Sequence, residues 1–392
     1  MKKFSVIFLA CLASASTAFA AIAATREVRI GLFEPLTGDG GLSGRQEALG
    51  VQFGHDEAPS IVIGGETRQV RLVKADTASS PDGAVKAAQE LISAGVSLVL
   101  GSYSSEDSLA ASRLFAEAGI PAIGIGCTNP QVTQGNSHYF RLCFVDPLQG
   151  AVLADYAFNE MKARTAYCIG EQGNAYDAGL CHYFKEAFEK LGGKVFDEMF
   201  PANIPDFSSY ITNAKNYGAD VLFCPTSLAY STRIIIQAGE QGARFPVLGG
   251  DTLDNNRTAE AACLAGVPLT VSSFYHEGET PRFDEQFKKW LGGNPKNLKD
   301  NGNLFTIAAI SAMGCDAYHV ALEALRNAGT TDSRKVMEAL GNVKYMGVTG
   351  MISFDKNGDA IRESVLIKTI DFEKKGWVKV AERHLGDVKV EM

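Results

Sequence analysis

Hydrogen-bond donors follow two successive apolar runs, at points where each run is expected to end as a strand. The run VSLVLG leads into the loop SYSSEDS, which contains Tyr103 and Ser105, and the run IPAIGI leads into GCTNP, which contains Gly126 and Thr128. Backbone N–H groups and hydroxyls beside helix amino termini receive carboxylates. Helix capping by serine and threonine explains either loop alone. The joint position of the two loops favours an anion-binding site.

A carboxylate follows a third apolar run. The run FPVLGG ends at Asp251, and an ammonium group removed from water needs such a partner. The alternatives for this residue are a cap for the next helix or a solvated loop acid. Tyr103, Tyr176 and Tyr230 also follow apolar runs, where each can line a pocket or take part in ordinary packing. Together these residues predict a site for a small molecule with charges of opposite sign.

Motifs for catalysis or for cofactors do not complete their patterns. The loop TGDGGLSG lacks the Gly-Lys-Ser/Thr ending of a phosphate loop, and GIGCTN lacks the third glycine of a dinucleotide site. The chain has no Gly-x-Ser-x-Gly motif. The histidines are scattered and the cysteines form no Cys-x-x-Cys pair, so neither a metal nor a cofactor is predicted. These absences favour a binding protein over an enzyme.

Apolar runs alternate with helical patterns over most of the chain, which predicts an α/β fold. Ser80, Pro81 and Asp82 form a helix start, and the unalternated run VSLVLG is typical of a strand that helices cover on both faces. Alternation of this kind implies doubly wound parallel sheets. About 370 mature residues exceed what one core usually supports, so two domains are expected.

The amino terminus predicts export. Two lysines precede a short apolar stretch and small residues, the layout of a cleaved signal peptide over residues 1–20, with cleavage between residues 20 and 24. Lipid attachment at Cys11 is the weaker alternative, because FLA is a poor match to the residues that usually precede a lipidated cysteine. No later run approaches the length of a membrane helix.

The net charge disfavours some classes of binding partner, and the cysteine count limits the possible disulfides. Without Lys2 and Lys3 the chain has 35 basic and 45 acidic residues, a net charge of −10 that disfavours nucleic acids and anionic membranes. Seven cysteines remain after cleavage. Two interpretations are open for them: disulfides, with Cys127–Cys143 or Cys168–Cys181 closing short loops, or burial as small apolar side chains. The odd number leaves at least one thiol unpaired.

From about Val28 to Val380 the sequence resembles the type I periplasmic binding proteins of the leucine/isoleucine/valine-binding group. The resemblance is carried by PLTG with its Gly-rich loop, by Gly101 to Ser105 as GxxxS, and by CTNPQVTQ leading to YFRLCFVDPLQG. The segment 174–179, the helix DAYHVALEAL and the run GMISFDKNGD also match. The set is specific, although no single motif is.

The resemblance implies roles for individual residues. The carboxylate of an amino acid would be held by Ser105, Gly126 and Thr128, and its ammonium by Asp251, where relatives often have glutamate. Tyr176 would close over the ligand. Three positions depart from the family pattern: Ser43 and Thr226 stand where branched-chain binders carry tyrosines, and Ser104 replaces a cysteine. The first two departures change the environment of the ligand's side chain.

The resemblance also implies an architecture and a physiological role. It predicts two doubly wound parallel-sheet lobes joined by three hinge crossings, with lobe one at 26–147 plus 276–353 and lobe two at 148–275 plus 354–392. The crossings are expected near residues 146–149, 272–277 and 352–356. The protein would be periplasmic, and would pass its ligand to the permease and ATPase subunits of an ABC transporter. The alternatives are binding of an aliphatic amide, urea or an aromatic acid, or ligand sensing for a membrane receptor.

Overall fold

The computed structural model describes residues 27–362, 364–384 and 386. The predicted signal peptide, its cleavage site and Cys11 lie outside the described residues, as does the end of the chain from residue 387. Within the described ranges, no helix has both the length and the apolar character that crossing a bilayer requires.

The first lobe is built on a six-stranded sheet with the order β2-β3-β1-β4-β5-β6. All neighbouring strands are parallel except β2 and β3, which form an antiparallel pair. Its strands are β1 (Glu27–Glu34), β2 (Ser60–Ile63), β3 (Glu66–Asp76), β4 (Leu98–Leu100), β5 (Ala122–Gly124) and β6 (Tyr139–Arg141), and the helices between them are α1 (Gly41–Glu57), α2 (Pro81–Ser93) and α3 (Ser105–Glu117).

Strand β4 shows why the run VSLVLG does not alternate. All three of its residues are fully buried, because helices pack on both faces of the sheet. The predicted start of α2 is also observed: the hydroxyl of Ser80 accepts a hydrogen bond from the N–H of Gly83, and Pro81 is the first helical residue. The local sequence rules therefore explain the first lobe well.

The chain then enters a second parallel sheet and afterwards returns to the first lobe. The parallel strands of the second sheet are β7 (Thr165–Glu171), β8 (Lys194–Phe200), β9 (Val221–Phe223), β10 (Val247–Gly249) and β11 (Leu269–Ser273), and the helices are α4 (Asp146–Asp155), α5 (Ala175–Lys190), α6 (Ser208–Asn216), α7 (Leu228–Glu240) and α8 (Asn256–Ala265). The returning segment comprises α9 (Pro281–Gly292), α10 (Pro295–Asp300), α11 (Ala309–Ala328), α12 (Ser333–Leu340) and the hairpin β12 (Tyr345–Gly347) and β13 (Gly350–Ile352).

Helix α11 ties this returning segment to the first lobe through a close contact with α1. A Cβ atom on Gly50 would lie 1.9 Å from the carbonyl oxygen of Ser311, and one on Gly314 would lie 2.3 Å from that of Glu47. Real Cβ atoms do not approach backbone so closely, so the two helix backbones can meet only because both positions are glycine.

The last two strands complete the second sheet. Strands β14 (Ser364–Asp371) and β15 (Gly376–His384) add an antiparallel edge next to β11, which gives the order β15-β14-β11-β10-β9-β7-β8. The chain thus passes between the sheets three times: after β6, after β11 and after β13. This architecture confirms the predicted pair of doubly wound lobes joined by three crossings.

The crossings pack against one another. The rings of Phe144, after β6, and Phe274, after β11, lie 4.2 Å apart between centroids. Within the third predicted crossing, Phe354 belongs to the core of the first lobe, and just past this crossing Asp359 pairs with Arg141 of β6. We therefore propose that the first lobe continues to about residue 362, rather than ending at 353.

The cysteines are free thiols. All seven of the mature chain lie among the described residues, and each is buried except Cys263, which is partly exposed. Cys127 lies beside Cys143, and Cys168 lies beside Cys181, yet neither pair is bonded. The structure favours the second interpretation of these residues, in which they fill the core as small apolar side chains.

A buried arginine fixes the loop after β5. The guanidinium of Arg141 is fully buried and donates to the carbonyl oxygens of Cys127 at 3.0 Å and Asn129 at 2.6 Å, and to the hydroxyl of Thr133 at 2.7 Å. It also forms an ion pair of 2.5 Å with Asp359. One side chain therefore satisfies several backbone acceptors of the loop that contains Gly126 and Thr128.

We expect Arg141→Met to destabilise the first lobe by about 3–5 kcal/mol, because it leaves several carbonyls of the loop without a donor and removes the cation paired with the partly exposed carboxylate of Asp359. Urea unfolding of the purified protein measures the change. Arg113→Met is the matched control: Arg113 pairs with Glu117 on the surface of α3, with 87% of its side chain exposed, and such pairs contribute about 1 kcal/mol or less. Equal losses in the two variants would contradict the role given to Arg141.

Candidate ligand-binding site

A cavity of about 180 Å³ lies between the two lobes, where the carboxyl ends of β1, β4, β5, β7, β9 and β10 meet. This is the edge at which open α/β sheets bind ligands. The first lobe contributes Pro35, Asp39, Gly40, Ser43, Ser79, Tyr103, Ser104, Ser105, Glu106, Asp107 and Gly126 to its wall. The second lobe contributes Glu171, Asn174, Tyr176, Asp177, Ser227, Leu228, Tyr230 and Thr252.

A larger groove of about 790 Å³ lies elsewhere, within the first lobe, between α1 and the segment of α9 and α10. It is open to solvent and touches none of the strand ends that face the second lobe. The interlobe cavity is smaller than the roughly 300–1,000 Å³ of sites for drug-sized molecules. Its size suits a single amino acid or a molecule of similar dimensions.

The first-lobe wall carries hydrogen-bond donors at the start of α3. Ser104 caps this helix, accepting from the N–H of Asp107 at 3.2 Å. Ser105 is the first helical residue, and its hydroxyl accepts from the N–H of Asn129 at 3.2 Å. The hydroxyl proton of Ser105 remains available for a ligand oxygen. Gly126 lines the same cavity, so both expected anion-binding loops meet there.

Gly126 and Thr128 occupy tightly packed positions in the loop that Arg141 fixes. A Cβ atom on Gly126 would lie 3.1 Å from Tyr103 and 3.2 Å from Glu47, closer than most real Cβ contacts. Thr128 is fully buried, and its hydroxyl has no hydrogen-bond partner among the described residues. Thr128 does not line the cavity in this conformation. The structure therefore brings Gly126 to the cavity and leaves Thr128 behind it.

The predicted acid lies behind the second-lobe wall, where it lines a small pocket next to the main cavity. Asp251 is buried just after β10, and its carboxylate accepts from the hydroxyl of Tyr176 at 3.0 Å. Its own N–H donates to the side-chain carbonyl of Gln149 at 2.8 Å. A Cβ atom on Gly250 would lie 2.2 Å from the Tyr176 hydroxyl, so glycine leaves the room that this contact requires.

Burial raises the pKa of Asp251 to about 6, although hydrogen bonds from Gln149 and Tyr176 favour the ionised form. The carboxyl faces a small pocket that adjoins the main cavity and is also lined by Ser43 and Tyr103. No lysine or arginine is among the described residues that line either space. A ligand ammonium would supply the missing positive charge.

The other predicted residues lie around these two spaces. Ser43, on α1, and Tyr103 line both of them, and Tyr230 lines the main cavity. Thr226 is fully buried in the second lobe, and its hydroxyl lacks a partner among the described residues. It does not line the cavity, but the next residue, Ser227, does.

Several acidic residues of the wall were not predicted. Asp39 follows β1, Glu106 lies in the first turn of α3, and Glu171 ends β7. Glu106 follows Ser105 directly in the serine-rich loop, so its place in the cavity wall could have been predicted from the sequence. Asp39 and Glu171 come from different lobes, and the sequence carries no indication that they share a cavity.

Direct hydrogen bonds join the two lobes at the rim of the cavity. The side-chain N–H of Asn129 donates to the carbonyl of Ala175 at 2.9 Å, and the N–H of Ala175 donates to the carboxylate of Glu106 at 2.8 Å. Further along the interface, Asn255 donates to Gln46 at 2.7 Å. The structure is therefore a closed conformation in which both walls can touch one small molecule.

Two carboxyl groups lie behind the first-lobe wall. Glu34 and Glu47 are fully buried, and Glu34 accepts from the N–H of Tyr103 at 3.0 Å. Burial raises the pKa of Glu34 to about 8, and burial together with Glu34 raises the pKa of Glu47 well above its usual range. Both shifts favour the protonated form of this pair, which reduces the negative charge beneath Gly126.

Among the described residues, one cluster contains three side chains that can ligate a metal. The donor atoms of Glu57, Cys315 and His319 lie within 4.8 Å of one another, in the first lobe and away from the cavity. Structural zinc sites usually have four protein ligands, and burial raises the pKa of the Cys315 thiol. The predicted absence of a metal stays a prediction.

Similarity to known proteins identifies the family of the chain. A family model described as periplasmic binding protein matches residues 27–375. An amino acid binding protein of Pseudomonas aeruginosa is 32% identical, over 86% of this chain and 88% of its own length. A Leu/Ile/Val-binding protein homolog of Brucella abortus is 28% identical, over 85% of this chain and 87% of its own.

A solved structure agrees with these sequence matches. The crystal structure of a leucine binding protein, LivK, from Thermotoga maritima superposes with a TM-score of 0.83 at 30% identity, and covers 92% of this chain and 99% of its own. The resemblance to the leucine/isoleucine/valine-binding group is therefore confirmed. The chain belongs to the periplasmic binding protein family.

Proposed function

We propose that the protein captures a small amino acid between its two lobes and serves as the extracytoplasmic solute-binding component of an ABC importer. One observation carries the proposal: the interlobe cavity has Ser105 and Gly126 on one wall and Tyr176 on the other, and the hydroxyl of Tyr176 donates to Asp251, which lines the small adjoining pocket. A zwitterion has a carboxylate for the first wall and an ammonium for the second. The relatives named as amino acid binding proteins support this assignment.

Closure of the lobes is the mechanism of capture. Donors for the carboxylate belong to the first lobe and the acid for the ammonium belongs to the second, so a ligand meets both only in the closed form. Ligand binding then shifts the population towards closure. Micromolar affinity corresponds to about 8 kcal/mol, which a few charge-assisted hydrogen bonds in a dry cavity can supply.

The loaded, closed form would dock on a permease of the inner membrane and release the amino acid when an ATPase drives transport. The predicted signal peptide and the family of the chain support a periplasmic location. Binding without chemical change is part of the proposal. Incubation of the purified protein with amino acids, followed by mass spectrometry, would reveal turnover if the protein were an enzyme.

We expect Ser105→Ala to weaken amino acid binding by about 1.5–3 kcal/mol, because the hydroxyl would no longer donate to a charged carboxylate. Isothermal titration calorimetry measures the loss. Ser112→Ala is the matched control, since Ser112 lies on the same helix and its hydroxyl donates to the carbonyl of Leu109, away from the cavity. Wild-type affinity in the Ser105 variant would remove this hydroxyl from the site.

We expect Asp251→Asn to weaken binding of an amino acid far more than binding of the same molecule without its amino group. The substitution preserves shape and removes the charge that an ammonium needs, with an expected loss of about 1.5–3 kcal/mol for the amino acid. Calorimetry on the two ligands gives the difference. Equal losses for both ligands would rule out the ammonium role of Asp251.

Amino acid affinity should fall as the pH decreases through about 6. The pKa of Asp251 is raised to about 6 by burial, so the carboxylate is ionised and competent above this pH and is neutralised below it. Affinities measured from pH 5 to pH 8 test the expectation. Asp251→Asn should flatten the profile, and an unchanged profile in that variant would assign the titration to another group.

A further inference from the structure

One part of the cavity wall is strongly acidic. Five carboxyl groups line the main cavity, namely those of Asp39, Glu106, Asp107, Glu171 and Asp177. No lysine, arginine or histidine is among the described residues of the wall. A purely aliphatic side chain in this space would remove water from these acids without supplying a partner, which is unfavourable.

Three of these acids are grouped around Glu171, and we name them the acidic end of the cavity: Asp39, Glu106 and Glu171. The hydroxyl of Tyr230 contacts the carboxylate of Glu171 at 3.4 Å. The pKa of Glu171 is raised, first by burial and further by the negative charges of Asp39 and Glu106. Asp39 and Glu106 of the first lobe therefore disfavour the negative charge of Glu171, and all three carboxyl groups line the same cavity.

The repulsion acts between the lobes. Asp39 and Glu106 belong to the first lobe and Glu171 to the second, so closure brings like charges together. Glu106 is partly neutralised by the N–H of Ala175, which donates to it at 2.8 Å. Glu171 accepts from the hydroxyl of Tyr230 and is also hydrogen-bonded by Asn174, but no cationic side chain is among the described lining residues that could pair with Asp39 or Glu171. A positively charged group bound between these carboxylates would attract both of them. It would thereby replace a repulsion that opposes closure of the lobes with an attraction that favours closure.

A second observation points to a hydrogen-bonding guest in the same region. The hydroxyl of Ser227 is buried, lines the cavity and lacks a hydrogen-bond partner among the described residues. Ser43 lines the opposite wall of the same cavity. Both walls therefore carry small hydroxyl side chains here, whereas an aliphatic ligand side chain would pack better against large apolar residues. An N–H group of a ligand can donate to the Ser227 oxygen, which otherwise remains unsatisfied.

We propose that the solute is an amino acid with a cationic side chain, an amine or a guanidinium, and that the acidic end recognises this group through Glu171 and Asp39. The inference rests on the proposed function, because it assumes that the main chain of the amino acid is held by Ser105 and Asp251. A guanidinium is planar and presents several N–H donors, so it can contact carboxylates from both lobes at once.

Calorimetry on the mature protein with four amino acids tests the proposal. L-arginine or L-lysine should bind at least tenfold more tightly than L-leucine and than L-citrulline, which has nearly the shape of arginine without its charge. Tighter or equal binding of leucine or citrulline would overturn the inference and leave the proposed function intact. Failure of all four to bind would overturn both.

Substitutions test which residues bind the cationic side chain of the ligand. Glu171→Gln should reduce affinity for the cationic amino acid at least tenfold and should not reduce affinity for leucine, because it removes a charge that an aliphatic side chain would leave without a partner. Asp39→Asn is the second test, because Asp39 is exposed on a loop and its substitution leaves the core intact. Glu117→Gln, on the surface of α3 with Arg113, is the control and should change neither affinity. Unchanged preference in both test variants would refute the role of the acidic end.

Discussion

A buried carboxylate that lacks a cation is the constraint around which the cleft is organised. Asp251 is held after β10 by Tyr176 and Gln149, and burial raises its pKa to about 6. Two neutral hydrogen bonds do not replace a counter-charge. Under the proposed function, an amino acid stabilises the closed form because its ammonium pairs with Asp251 of the second lobe while its carboxylate meets donors of the first. Hinge closure and ligand capture become a single equilibrium.

The fold permits this motion because the parallel strands form two separate sheets, one in each lobe, whose carboxyl ends face each other across the cleft. Each wall of the cleft is a set of strand ends, and three crossings allow the walls to separate without breaking either sheet. Rigidity within a lobe matters as much as motion between lobes. Arg141 holds the carbonyls of the Gly126 loop, and the paired glycines of α1 and α11 hold the returning helices against the first sheet.

Much of the fold could be predicted because apolar runs, caps and turns act locally. The buried run of β4 and the cap at Ser80 follow directly from their residues, whereas the short helix α10 and the extent of the first lobe beyond residue 353 depend on tertiary packing. The positions of Ser105, Gly126 and Asp251 at the cleft could be predicted because each follows the end of an apolar strand, and their contacts with a ligand stay a prediction. The meeting of Asp39 with Glu171 could not, because it exists only when two lobes from distant parts of the chain close.

The most direct test of the central claim is a crystal structure of the mature protein with a bound amino acid, compared with one grown without it. The account predicts that the ligand carboxylate contacts Ser105 and Gly126 of the first lobe while its ammonium contacts Asp251 of the second, and that the lobes are further apart without ligand. A ligand held entirely by one lobe, or a cleft of the same width in both crystals, would contradict it.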